Sequence, residues 1–432
     1  MKLRSSSIYL EMRSLARTNA RATCFALGCM GGLVYLWNFG CDCTFVTATL
    51  CILAHGFIRN VSWSATVRDE PKDTEVVLVT GCDSGLGYSL ALHLSSVGLK
   101  VIAAVHRKDS PGALELSKAN GIFVHPLDVT SRESVKDFHT AASGYLDRHG
   151  FVLRALVNNA GSMIFGEFEW QTDDQSSLQI EVNLLGTMRV TRHFLPTIRA
   201  HSARIIVVTS HCSSAPLPGV AVYGATKAGL SAWSTALRVE LKKYGVDVVN
   251  FVPGSFIRES NLLSQQRAHF EAMECAMSEE TRSFYGDYFT RYASYLSNLA
   301  PTDLPLRLMN PTVYDKFEGA LLDRNPRPVY KCEPWRYKLY HTLFKIVPTT
   351  LRDRLVESFV QMPVWKGSRS VVNAEGSDAR RSSTAAKIEA RRTRNCSNST
   401  PEGLSSVEIK NGETERENHR TTSDKCSAGT NA

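Results

Sequence analysis

After Trp365 the chain has no aromatic residue at all. Ser, Thr, Asn, Arg and Glu dominate residues 366–432, which cannot bury enough apolar surface to offset the entropy of ordering them. That tail is expected to be disordered, and its Asn395-Cys396-Ser397 and Asn398-Ser399-Thr400 glycosylation patterns matter only if it is lumenal. Zinc-finger spacing is missing, as is any interleaved patch of aromatic and basic residues. The net charge of +8 is spread along the chain, so nucleic acid is not an expected partner. The 11 cysteines form neither a repeating framework nor a metal-ligand set, although Cys24, Cys29, Cys41, Cys43 and Cys51 fall close together. Reduced thiols and no metal are expected, with N-terminal lipidation a minor alternative.

What is present is 432 residues, 43% of them hydrophobic. That suffices for one core of about 250–300 residues with segments left over at both ends. Residues 1–21 carry Lys2, Arg4, Arg13, Arg17 and Arg21 against the single acid Glu11. Two apolar runs follow, 22–39 and 43–58, split by Gly40-Cys41-Asp42, each near the lower length limit for crossing a bilayer. Residues 22–58 are expected to form a membrane anchor of one or two helices with the basic start cytoplasmic. A mitochondrial targeting segment is the competing reading. Residues 59–74 make a linker.

From 75 to 365, short β-branched runs alternate with stretches of helical periodicity. The strands expected are Val76–Thr80, Val101–Val105, Ile122–Pro126, Leu153–Asn158, Ile205–Thr209 and Val246–Val252. Such alternation predicts an α/β domain with a Rossmann-type, doubly wound parallel sheet covered on both faces.

The first strand runs directly into Thr80-Gly81-Cys82-Asp83-Ser84-Gly85-Leu86-Gly87, with a helical segment, Tyr88–Val97, behind it. Gly81, Gly85 and Gly87 let backbone turn sharply and approach a pyrophosphate, and the helix N-terminus supplies N–H groups and a positive dipole end. The spacing Gly-x-x-x-Gly-x-Gly departs from the common dinucleotide fingerprint. Asp128, past the third strand, can accept a hydrogen bond from an adenine amino group or cap the helix after Thr130. Asn158-Asn159-Ala160-Gly161 ends the fourth strand with small residues where a cofactor must pass close to backbone. The second strand ends in His106-Arg107-Lys108, where a carboxylate would favour the free ribose of NAD. Basic groups there suit the 2′-phosphate of NADP, or are solvated turn residues; NAD and NADP both stay open.

Tyr223 and Lys227 lie four residues apart in Val222-Tyr223-Gly224-Ala225-Thr226-Lys227, so on a helix they share one face. Ser210 stands at the end of the fifth strand, and Asn183 interrupts the apolar stretch Ile180–Gly186. The ordered set Thr-Gly-x-x-x-Gly-x-Gly, Asn-Asn-Ala-Gly, Asn, Ser and Tyr-x-x-x-Lys resembles the short-chain dehydrogenase/reductase family over about residues 75–350. The branch it is most similar to holds 17β-hydroxysteroid dehydrogenase type 2, retinol dehydrogenases and 3-hydroxybutyrate dehydrogenase. Asp109–Ala113, Val182–Pro196, Pro253–Ile257 and Phe284–Tyr288 carry that likeness.

The resemblance implies roles. Tyr223 would exchange the proton with the substrate oxygen, and Lys227 with the positive nicotinamide ring would lower its pKa from near 10. Lys227 would also hold the nicotinamide ribose. Ser210 would donate to the substrate oxygen, and Asn183 would hold a water continuing the proton path. Pro253-Gly254 would turn the chain over the nicotinamide. Family members often bind the carboxamide with a Thr shortly afterwards; here Ser255-Phe256-Ile257-Arg258 leaves that contact to backbone at Ile257.

Residues 256–302 are expected to form a substrate lid, with Phe270, Met273, Met277, Phe284, Tyr285, Tyr288, Phe289, Tyr292 and Tyr295 either lining a pocket for a bulky apolar alcohol or packing on one another. Trp335–Val360 suits a helix at a membrane surface or under the lid. The expected function is NAD(P)-dependent interconversion of an alcohol and a ketone or aldehyde on a steroid- or retinoid-like substrate, at the endoplasmic reticulum membrane. Expected partners are that apolar substrate, the lipid bilayer and a second copy in a homodimer. A mitochondrial 3-hydroxybutyrate-type dehydrogenase and a non-catalytic nicotinamide-binding scaffold or redox sensor are the alternatives.

Overall fold

The computed structural model describes Cys51 and residues 67–254, 261–298, 307–333, 335–360 and 362–365. The anchor expected at 22–58 lies outside the described residues, Cys51 apart, as do the tail 366–432 and the contact expected at Ile257. Among the described residues no helix is long and apolar enough to cross a membrane.

Seven strands make one sheet in the order β3-β2-β1-β4-β5-β6-β7. They are β1 (Glu75–Thr80), β2 (Lys100–Val105), β3 (Ile122–Pro126), β4 (Val152–Asn158), β5 (Arg204–Val208), β6 (Val248–Val252) and β7 (Val329–Lys331). Every neighbouring pair is parallel. The chain builds β1 to β3 outward in one direction, then returns to lay β4 beside β1 and continues the other way. The β1/β4 boundary is therefore the point where strand order reverses, and loops beyond the strand ends there diverge to leave a crevice.

Burial on both faces explains why these strands read as nearly unbroken apolar runs. Val77, Val79, Val101, Ala103 and Val105 face one core. The alternate residues Val76, Leu78, Ile102 and Ala104 face the other. Helix α1 (Gly85–Ser96) and α2 (Pro111–Leu116) contribute to the first core, α3 (Arg132–His149) to the second. After β4 come α4 (Asp173–Ile180), a π-helical turn over Glu181–Gly186, and α5 (Thr187–His201). Helix α6 (Ala221–Lys242) leads into β6. The insertion after β6 folds as α7 (Gln266–Ala276), α8 (Glu279–Tyr285) and α9 (Asp287–Ser297). Next come α10 (Pro311–Leu322), β7, and the pair α11 (Trp335–Ile346) and α12 (Thr349–Val360).

Three features differ from the sequence reading. Strand β7, only three residues long, was not anticipated. Residues 67–74, taken as the end of a linker, are tied to the domain: the Asp69 N–H donates to Leu322 O, and the Asp69 carboxylate pairs with Arg154 and Arg324. Of the described cysteines, Cys51, Cys82, Cys212 and Cys332 are free, but Cys275 is disulfide-bonded, against the expectation of reduced thiols.

Candidate active site

The glycine loop sits at the β1/β4 crevice. Gly81 and Gly85 adopt φ of +70° and +58°, where a side chain is strained. Gly87 works differently, for it is already helical. A Cβ there would lie 2.2 Å from Gly81 O and 2.5 Å from Asn159 Nδ2, so its bareness lets helix and loop pack together. Helix α1 starts at Ser84, whose side chain makes no capping bond, and its first turn has no acid. Its leading N–H groups thus remain available to an anion. Leu86 is buried in the core.

Thr80 and Asn159 act mainly as braces. Thr80 Oγ1 accepts from the N–H groups of Asn159 and Ala160, both at 3.0 Å. Asn159 Nδ2 donates to Thr80 O at 2.8 Å and Gly81 O at 3.1 Å. A Cβ on Gly81 would meet Ala160 Cα at 2.8 Å, so the two strand ends touch through small residues. Asp128 Oδ1 accepts from both the N–H and the hydroxyl of Thr130, an Asx turn; the cap of α3 is Ser131 rather than Asp128. His106 and Arg107 are exposed, and Arg107 turns to Asp109 at 3.6 Å. Pro253 is buried, and Gly254, at φ +93°, packs so closely on Cys332 O that a Cβ would lie 2.5 Å from it.

The reacting-group candidates converge. Helix α6 buries Tyr223, Thr226, Lys227, Leu230, Ser234, Leu237 and Leu241. That spacing of three and four makes the face carrying the polar pair the same face that packs on the sheet. Tyr223 is 8% exposed and Lys227 4%. Lys227 Nζ lies 5.7 Å from the Tyr223 ring centre and donates to Val208 O, at the end of β5, at 3.0 Å. Ser210, just past β5, stands close enough to Tyr223 to lower its pKa and accepts from Cys212 N–H. Asn183 sits in the π-helical turn, fully buried. Its Oδ1 accepts from Ser162 N–H at 2.7 Å, and its Nδ2 donates to Ser162 O and to Thr226 Oγ1. Gly161 lies between: a Cβ there would stand 3.2 Å from Asn183 Oδ1 and 3.5 Å from Lys227 Nζ. Asn183 and Lys227 therefore border one small space.

The protein groups by themselves shift both members of the pair. Burial pushes the Tyr223 phenol well up, nearby Cys212 adds to this, and Ser210 pulls it down. Burial also draws Lys227 down to about 8, against a smaller upward pull from Cys212. Desolvation of both groups thus outweighs any attraction between them, and protein groups alone do not make the phenol acidic. Cys212 was not singled out in the sequence; a thiol two residues after Ser210 carries no motif. Burial raises its pKa, while Ser210 and Lys227 lower it.

On its other side, Tyr223 joins a cluster with Met163, Phe165, Trp170, Phe270, Met273 and Tyr292. Trp170 is its centre, edge-on to Tyr285, Tyr288, Phe289 and Tyr292 with ring centres 5.0–5.5 Å apart. Most lid aromatics therefore pack on one another; Phe284 and Tyr295 are exposed. Buried glutamines fasten the wall: Gln266 exchanges two hydrogen bonds with the Phe165 backbone, and Gln179 accepts from Ile164 N–H. Neither Trp170 nor these glutamines belongs to a short motif.

The residues present fit a dinucleotide, on the free N–H groups of α1 and on strand ends kept small where Gly81 meets Ala160. A family model described as short chain dehydrogenase matches residues 75–269. The chain is 33% identical over 372 residues to estradiol 17-beta-dehydrogenase 2 of Mus musculus, covering 83% of this chain and 93% of that one. It is 36% identical to the mitochondrial D-beta-hydroxybutyrate dehydrogenase of Rattus norvegicus, covering 55% and 71%. To retinol dehydrogenase 16 of Mus musculus it is 32% identical, covering 65% and 87%. With the parallel sheet and the crevice, these likenesses settle the family: the chain belongs to the short-chain dehydrogenases/reductases and is an oxidoreductase that uses NAD or NADP on CH–OH groups.

Proposed function

We propose that the protein interconverts an alcohol and its ketone or aldehyde on a bulky apolar substrate of steroid or retinoid class, with Tyr223 as the acid/base. The observation that carries this is Tyr223 itself: one buried side chain belongs both to the polar group of Ser210 and Lys227 and to the aromatic cluster around Trp170. The nicotinamide, when bound, accepts or supplies the hydride. Tyr223 Oη takes the proton from the substrate hydroxyl during oxidation and returns it during reduction. Ser210 Oγ orients the substrate oxygen. Lys227, held by Val208 O, keeps a positive charge near the phenolate and holds the nicotinamide ribose. Burial raises the phenol, so Lys227 and the positive charge that an oxidised nicotinamide would supply would together bring it into working range.

Asn183 fixes the wall of this space through Ser162 and Thr226, and a water beside its Oδ1 passes the proton onward from Lys227. The glycine loop with the N-terminus of α1 would hold the pyrophosphate, the free oxygen of Asp128 the adenine, and Gly161, Pro253 and Gly254 would supply the backbone around the nicotinamide. Association of 22–58 with the endoplasmic reticulum membrane would let the substrate arrive from the bilayer.

The test is a panel of steroids, retinoids and short hydroxy acids with each nucleotide, on membrane-reconstituted protein. Activity confined to the apolar alcohols is expected. Tyr223→Phe should lower turnover by about 10² or more, the range of acid/base catalysis, with nucleotide affinity nearly unchanged. An undiminished rate in that variant removes the assignment, and turnover of hydroxy acids alone favours the 3-hydroxybutyrate reading.

A further inference from the structure

The end of β2 is where a dinucleotide-binding sheet distinguishes a free adenosine ribose from a phosphorylated one. The sequence there is basic, His106-Arg107-Lys108, and taken alone it suits a phosphate. The structure puts a different charge at that spot. Asp83, from the glycine loop after β1, extends across so that Oδ2 accepts from His106 N–H at 2.7 Å and Oδ1 from Arg107 N–H at 3.0 Å. These two N–H groups lie just beyond β2, and an anion approaching from the crevice finds them already bound to a carboxylate.

The loop is held in that position. A Cβ on Gly112 in α2 would lie 2.1 Å from Asp83 O, so α2 packs directly against the Asp83 backbone. The Arg107 guanidinium is 67% exposed and turns out to Asp109 rather than in toward Asp83. The Asp83 carboxylate therefore places a negative charge on the β2 end itself, beside the exposed side chains of His106, Arg107 and Lys108.

Resting on the reading of the glycine loop as the dinucleotide site, we infer that Asp83 selects NAD over NADP. Each Asp83 oxygen keeps a lone pair after accepting one N–H, so the carboxylate can still accept a ribose hydroxyl. A 2′-phosphate brings a second anion beside it, and the backbone donors that would offset the repulsion are taken.

Equilibrium binding of NAD⁺ and NADP⁺ to the full chain in detergent, by titration calorimetry, tests this without turnover. NAD⁺ is expected to bind on the order of a hundredfold more tightly. Asp83→Asn removes the charge while one oxygen still accepts an N–H; it should cut the preference at least about tenfold, chiefly by tightening NADP⁺. Arg107→Ala should leave the ratio within about twofold. Equal affinities in the unaltered protein, or a tenfold loss of NADP⁺ affinity in Arg107→Ala, would overturn the assignment of Asp83 and leave the dinucleotide site standing. Binding of neither nucleotide overturns both. Should Asp83→Asn not fold, the unaltered ratio and Arg107→Ala still decide.

Discussion

The two sides of the crevice are built by different means. The side proposed for the nucleotide is held by backbone and short side chains within a few residues of the strand ends: Thr80 to Asn159 and Ala160, Asp83 to His106 and Arg107, Asp128 to Thr130. The side proposed for the substrate is held by long side chains that meet across the chain: Gln266 on Phe165, Trp170 among Tyr285, Tyr288, Phe289 and Tyr292. A site made of backbone tolerates little change in shape, because its donors cannot move independently. A site made of packed rings can be refilled by other rings. The first suits a ligand of fixed shape, the second a ligand whose shape can vary.

The largest effect that would test this contrast is expected from Trp170→Ala. The indole is 2% exposed and touches four rings, so its loss should cost about 3–5 kcal/mol of stability. Yet nucleotide affinity, measured below the lowered Tm, should change less than about threefold, because additivity holds for sites sharing no partner. Equal damage to nucleotide binding would break the division. Gly87→Ala is the mirror image. Its new Cβ would stand 2.2 Å from Gly81 O, which is backbone and cannot swing aside. A loop displaced by about 1 Å should weaken nucleotide binding on the order of a hundredfold, while near-ultraviolet dichroism from the Trp170 cluster stays unchanged.

The same contrast decides what can be read from the sequence. The six longer strands lie within two residues of where β-branched runs place them, because burial on both faces leaves a continuous apolar signal. The glycine loop, Ser210 and the Tyr223/Lys227 pair are legible since each is a local pattern at a strand end or on one helix face. The Asp83 bond is not, although its residue stands in plain view: its partners are 23 and 24 residues away and are backbone. Trp170 was missed for the same reason; its rings come from beyond residue 284 and no spacing rule joins them. Strand β7 has three residues with only Tyr330 buried, too short for a period to register. For Tyr223 the i,i+4 neighbour is visible in sequence, and the depth of burial that raises its pKa is not.

A smaller effect should appear with pH, at the outer end of the substrate side. His211 Nδ1 and His341 Nδ1 lie 2.8 and 3.1 Å from one oxygen of Glu333, joining the loop after Ser210 to α11. Burial draws His211 down to about 4, outweighing the pull of Glu333. Burial opposes the Glu333 charge, and Lys331, His211 and His341 together overcome it to lower its pKa. Both shifts act in one direction. Between pH 6.5 and about 4 the unfolded chain takes up a proton on His211 that the folded chain refuses, so stability falls as pH falls through that window. The lowered Glu333 extends the loss further down. Thermal melts of the unaltered protein should thus decline below pH 6.5, and His211→Gln should flatten that decline. An unchanged slope in the variant would place the acid sensitivity elsewhere.

The smallest expected effect is the sharpest probe of the boundary between the two sides. Tyr288 Oη donates to Glu167 at 2.5 Å, and Tyr285 Oη to Glu169 at 2.6 Å; these bonds latch the lid to the wall segment around Trp170. Burial raises the Tyr288 pKa, and the Glu167 bond raises it further, so the phenol stays a donor throughout the working range. Tyr288→Phe keeps the ring and its packing and removes only the donor. Glu167 is half-buried, so water can replace the lost hydroxyl and the cost should stay near 1 kcal/mol. The readout is where that cost appears. If the lid belongs to the substrate side alone, KM for an apolar alcohol rises a few-fold while nucleotide affinity stays fixed. A matching loss in nucleotide affinity would mean that the latch also sets the wall reaching Gly161 and Asn183 through Ser162, and the two sides would then be one cooperative unit.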